Sequence, residues 1–247
     1  MFKTTRALIL REVKYKEADK ILTVLTENDG KITVSARGVM RSNSKIAPAC
    51  QLLAFSDMTL YENGGKWYIK EAQTVEQFLG LREDIADLAL GAYFAELLEA
   101  VSDEDSPDGQ VLSLGLNSLF ALSRKLYSPE HIKSVFELRL ACLSGYEPQL
   151  DCCTVCGKAE MENPVFSTAG GTVVCGEHRS VAHGECFKLC PASLEAMRHV
   201  VRSDAKRIFS FSIDERAEKL LASVSEAYVI TQLEHRFSAL DYWRSVR

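Results

Sequence analysis

Two pairs of soft ligands, each pair separated by two residues, stand in the second half of this 247-residue chain: Cys153-Thr-Val-Cys156 and Cys175-Gly-Glu-His178. A tight turn can aim both members of such a pair at one ion, and two turns together complete the tetrahedron that zinc prefers. Residues 157–174, 18 in all, separate the pairs. That falls within the spacing of about 15 to 20 residues expected of paired zinc knuckles. Gly157 and Gly176 directly follow Cys156 and Cys175, where glycine permits a turn. Buried cysteine also serves as a small hydrophobe, and oxidised pairs form disulfides, so thiols alone do not specify a metal; the doubled spacing is what does. His183, Cys186 or Cys190 can replace His178 as fourth ligand, and Cys152 can replace Cys153. Four protein ligands leave no open position for water, which makes the expected zinc structural rather than catalytic.

Other chemistry is hard to find. Gly64-Gly65 and Gly170-Gly171 are turn-like pairs without the residues of a phosphate loop or dinucleotide fingerprint. No serine occupies a nucleophile elbow. A zinc deaminase needs a His-x-Glu half upstream of its cysteines, but His131 is followed by Ile132-Lys133. His131, His199 and His235 are scattered through helical segments as packing or surface residues. The expectation is a protein that is not an enzyme and takes no small-molecule substrate.

The ligand pairs must be held by something, and the chain around them changes character once. Up to residue 80 the pattern is that of short strands: 4–13, 20–27, 31–37, 51–62 and 66–75. Asn28-Asp29-Gly30 and Asn63-Gly64-Gly65 mark hairpin turns. The third strand alternates strictly, with Ile32, Val34 and Ala36 inward and Lys31, Thr33, Ser35 and Arg37 toward water. Five short strands in this space predict a small closed barrel. From about 82 the period is helical, through Leu90, Phe94, Leu97, Leu98 and Val101, with Glu96 and Glu99 opposite. A further helix carries Leu112, Leu116 and Leu119. Ser128-Pro129 opens the next, as cap and first residue, and Gly145 ends it. After the ligand pairs, 191 to about 203 and 214 to about 243 resume the helical period, and the flanking helices are expected to pack together. The fold class is therefore α+β: a barrel domain over 1–80, then an α-helical domain over 81–247 with a zinc knuckle inserted at 150–190.

The net charge of −5 is unevenly spread: residues 1–80 hold 12 Lys or Arg against 9 Asp or Glu, and the remainder 17 against 25. A basic partner surface therefore belongs to the barrel. Between the third and fourth strands, Gly38 to Pro48 form a polar basic loop whose Arg41 and Lys45 join Arg37. Such cations can track a phosphate backbone while Trp67 or Tyr68 offers a stacking platform, although both rings serve equally well as core. The start of the chain lacks a signal-peptide pattern and no apolar run is long enough for a bilayer, so a cytoplasmic protein without membrane contact is expected. Cys50 and Cys142 stand apart as packing thiols.

Two blocks of the chain carry a further signal. Near the start stand Arg6-Ala-Leu-Ile-Leu-Arg11, Ala18-Asp19-Lys20, and Gly30-Lys31 leading to Ala36-Arg37-Gly38-Val39 with Arg41, Ser44 and Lys45. A second block runs from Phe136-Glu-Leu-Arg-Leu140 through Gly145-Tyr-Glu-Pro-Gln-Leu-Asp151 into Cys153 and Cys156-Gly157. Together they resemble the RecO family of bacterial DNA repair proteins. Ala36 stands where family members often have glycine, and His178 where many have cysteine. The resemblance implies an OB-fold barrel, a helical domain and one structural Zn2+. It also implies a mediator of homologous recombination in the RecF pathway, one that binds single- and double-stranded DNA and anneals complementary strands. Such a mediator helps load RecA onto SSB-coated strands, with RecR and the SSB C-terminal tail as partners. The DNA-contacting residues it points to are Arg37, Arg41, Lys45, Lys31, Arg6 and Arg11. The acidic remainder supports a second expectation, a zinc-stabilised scaffold for protein partners without annealing activity of its own.

Overall fold

The computed structural model describes residues 1–247. By internal packing the chain divides into two compact units: Met1–Arg124 together with Phe237–Arg247, and Lys125–Arg236. The change from strands to helices near residue 80 is thus not where the packing divides.

In the first unit, β1 (Phe2–Tyr15), β2 (Asp19–Thr26), β3 (Gly30–Ala36), β4 (Phe55–Asn63) and β5 (Lys66–Glu76) close into an OB-like barrel of order β1-β2-β3-β5-β4. β4 returns antiparallel to β1, while the β3 to β5 seam is parallel and only two pairs long, Val34 with Trp67 and Ser35 with Tyr68. The alternation of β3 holds: Ile32, Val34 and Ala36 are buried, and Thr33 and Arg37 exposed. Ala7 to Leu10 of β1 are all buried because one face lines the barrel and α1 (Ile85–Val101) packs on the strand. Cys50 sits in the barrel core, where burial pushes its thiol up to about 12.

Helix α1 begins at Asp84, whose carboxylate accepts from the Ala86 N–H, and α2 (Gly109–Ser123) begins at Asp108 in the same manner. The segment expected as one helix over 214–243 is two. α5 (Glu215–Leu233) belongs to the second unit, Glu234 takes a left-handed φ of 49°, and α6 (Ser238–Val246) packs on α1 in the first. Glu96, expected opposite the apolar face of α1, is half-buried and has a partner: its carboxylate accepts from Ser238 Oγ at 2.6 Å and from the Ala239 N–H at 3.0 Å, capping α6. The edge of Tyr93 meets Phe237 nearby.

The second unit contains α3 (Pro129–Leu143), three short strands β6 (Val165–Ser167), β7 (Thr172–Val174) and β8 (Cys186–Lys188), then α4 (Pro191–Arg202) and α5. Ser128 caps α3 through the His131 N–H, as its sequence predicts. α3 and α5 pack together, joined by a largely buried ion pair between Lys133 and Glu226 at 2.6 Å. Tyr228 of α5 donates to the Tyr146 carbonyl at 2.9 Å and sets its ring edge-on to Phe166 of β6. The helices flanking the knuckle thus hold it from behind. No helix is long and apolar enough to cross a membrane.

Candidate metal centre and nucleic-acid face

Cys153, Cys156, Cys175 and His178 converge until their ligand atoms all lie within 4.8 Å of one another. Cys156 Sγ is 3.9 Å from Cys175 Sγ, and His178 Nδ1 is 3.6 Å from Cys153 Sγ and 2.8 Å from Cys175 Sγ. Zinc with Zn–S bonds of about 2.3 Å has tetrahedral edges of about 3.8 Å; the 3.9 and 3.6 Å separations match this, the 2.8 Å one is shorter, and three thiols with one imidazole are a donor set suited to zinc. Each turn is shaped locally. The Gly157 N–H donates to the Cys153 carbonyl and Gly157 adopts φ +72°, as a knuckle glycine should. Gly176 works differently. It has no left-handed φ, and it is its missing side chain that matters, since a Cβ there would lie 3.1 Å from the Asn163 Cβ on the neighbouring loop.

Electrostatics suit a cation. Burial pushes the Cys153 thiol up, but hydrogen bonds from the backbone at Cys175, Cys156 and Val155, with the Cys156 thiol, bring it down to about 6. Cys175, buried beside the other two thiols, is raised. A bound cation relieves that mutual repulsion. The alternative ligands have other work: Cys190 caps α4 through the Ser193 N–H, and Cys186 is exposed beside the carbonyls of His183 and Gly184. Arg198 of α4 donates to the Leu150 and Asp151 carbonyls, at 2.8 and 3.1 Å, and so secures the chain entering the first turn.

On the barrel, a groove of about 710 Å³ runs over β2 and β3 and between the hairpins that join β1 to β2 and β4 to β5. Lys16, Lys20, Lys31, Arg37 and Lys66 line it, with Trp67 and Tyr68, while Asp19, Glu104 and Asp105 line it as well. Trp67 is half-buried against the barrel core, with the Lys3 ammonium 4.1 Å over its ring. Tyr68 lies on the outer face beneath Arg37.

The six cations picked from sequence separate into two groups. Arg6 pairs with Asp57 at 3.0 Å, Arg11 with Glu99 at 2.9 Å, and Lys31 Nζ donates to the Glu99 carbonyl at 2.7 Å. Arg37, Arg41 and Lys45 are exposed and make no ion pair. Their loop is anchored where it leaves the barrel: the Gly38 N–H donates to Asp19 at 2.7 Å and the Met40 N–H to the Ala18 carbonyl at 2.9 Å. Lys16, Lys20 and Lys66 are not among those six. Their signal was their place in the two hairpins, which a barrel of this order brings to one end of β3.

Comparison with known proteins covers nearly the whole chain. Residues 1–78 match the family model for Recombination protein O N terminal, and residues 82–241 that for Recombination protein O C terminal. The chain belongs to the RecO family. Among proteins named DNA repair protein RecO, that of Acetivibrio thermocellus is 30% identical over 242 residues, covering 98% of this chain and 96% of its own. That of Alkaliphilus metalliredigens is 26% identical, covering 98% of each. The Rubrobacter xylanophilus protein is 32% identical over 79% of each. This RecO-family chain is thus a DNA repair family protein, and its own structure supplies an OB-like barrel and a Cys/His cluster able to hold a metal ion.

Proposed function

We propose that this RecO-family chain is a cytoplasmic, non-catalytic mediator of recombinational repair that binds single- and double-stranded DNA on its barrel and anneals complementary strands. It helps RecA replace SSB on single strands, with RecR and the SSB C-terminal tail as protein partners. The observation that carries the reading is the basic groove, together with the three cations Arg37, Arg41 and Lys45 that no carboxylate neutralises. Annealing by a binding protein requires only that the repulsion between two phosphate backbones be offset, and cations do this by displacing condensed counterions. No hydrolysis is needed, in keeping with a sequence that carries no phosphate loop.

In this reading Cys153, Cys156, Cys175 and His178 hold one Zn2+, which supplies a four-way cross-link and no reaction. The strands β6 to β8 are only three residues each, and the cross-link fixes their approach to α4 and α5. The deciding experiment tracks two complementary strands, one labelled, each coated with SSB, and compares their annealing rates with and without the protein. Acceleration supports the mediator. Loss of both annealing and bare-strand binding would leave a protein-interaction scaffold in its place.

A further inference from the structure

A column of flat groups crosses the outer wall of the barrel. Register pairs Phe2 of β1 with Tyr61 of β4, Tyr61 with Tyr68 of β5, and Tyr68 with Ser35 of β3, two residues before Arg37. The Tyr61 and Tyr68 rings stack, with centroids 5.3 Å apart and planes 22° from parallel, and Phe2 leans on Tyr61 at 6.3 Å. The Arg37 guanidinium also lies over the Tyr68 ring, 4.1 Å from its centroid. Tyr68 is therefore engaged by both the Tyr61 ring and the Arg37 guanidinium. Arg37 is itself exposed and lines the groove.

A guanidinium is planar and weakly hydrated across its faces, and its N–H groups point outward from its edges. One fixed on a tyrosine keeps its second face as a platform and its edges as donors. We propose that the groove-side face of Arg37 is a stacking site for one unpaired nucleobase, which extends the column beyond Tyr68 while the guanidinium edge remains available to phosphate. A base inside a duplex already has neighbours on both faces and cannot enter without being unstacked, so the site favours single strands. Tyr68 is then a positioning residue: it touches the cation, not the base. This rests on the DNA-binding reading and adds to it that a base, and not the backbone alone, is recognised.

The test compares binding of the full chain to a labelled oligothymidine and to the same sugar-phosphate backbone carrying abasic residues. Wild-type protein is expected to favour the base-bearing strand by about tenfold, the worth of one stacked base. Arg37→Lys keeps the charge and loses the plane, so it should bind both strands alike; Tyr68→Leu should do the same, whereas Tyr68→Phe should keep the preference. Equal binding of the two strands by wild type would overturn the stacking site and leave the DNA-binding barrel standing. A preference that survives in Arg37→Lys would overturn the role of Arg37. Failure to bind either strand would remove the DNA-binding reading itself, and this inference with it.

Discussion

The Lys133 ammonium lies 2.7 Å from the Glu137 carboxylate one turn further along α3, and neither side chain is more than 2% exposed. With Glu226 at 2.6 Å from the same nitrogen, the helix pair α3 and α5 is joined by charges taken out of water. Removing one member of such a set leaves its partner's charge buried and uncompensated. Lys133→Met is therefore expected to destabilise the second unit by about 3 to 5 kcal/mol, and Lys133→Met with Glu137→Leu by less than that single change. Urea unfolding midpoints of the two variants check the order.

Metal removal should act on the same unit. Closed sites of this kind contribute on the order of 10 kcal/mol at neutral pH, comparable to the whole stability of a domain. Purified protein is expected to carry one zinc per chain, Cys175→Ser to carry none, and Cys186→Ser to keep a full equivalent. Elemental analysis of the three proteins distinguishes a Cys153, Cys156, Cys175 and His178 site from one that recruits Cys186.

Reversing Arg37, Arg41 and Lys45 to Glu should weaken DNA binding most at low salt. Each lost contact to a single strand flattens the slope of log affinity against log salt by about 0.7, so roughly two units disappear if all three touch phosphate. Reversing Arg6 should change the slope less, since Asp57 already neutralises it. A titration series over several salt concentrations reads both outcomes.

His131 predicts a pH dependence. Burial holds its pKa below the ordinary 6.5 and the charge of His199 lowers it further, while the Phe209 carbonyl and Glu218 pull the other way. The unfolded chain then takes up a proton before the folded one does. Stability is full above about pH 6.5 and declines as pH falls toward the depressed native value. Melting temperatures measured between about pH 7.5 and 5.5 should fall in the native protein and fall less steeply in His131→Asn.

The Cys/His cluster was legible because its information is local: two turns, each written in four residues, and a gap of plausible length. The barrel was legible because alternation and turn glycines repeat every few residues. Where the sequence misled, the deciding interaction lay far along the chain. The break between α5 and α6 carries no glycine or proline; it occurs at Glu234, and Glu96 of a distant helix caps α6 beyond it. Strands β6 to β8 are three residues each, too short for any period to show. Lys16 and Lys66 stand out only once the closure of the barrel sets both hairpins beside β3.

The capping of α6 by Glu96 also orders events at the ribosome. Glu96 must wait for Ser238, 142 positions later, before its carboxylate finds the groups it binds. Residues 125–236 form a unit that is contiguous in the chain and fully translated before 237–247 emerge. The barrel's unit begins first and is completed last, so until translation reaches α6 the apolar surface of α1 that meets Phe237 and Trp243 stays uncovered in the nascent chain.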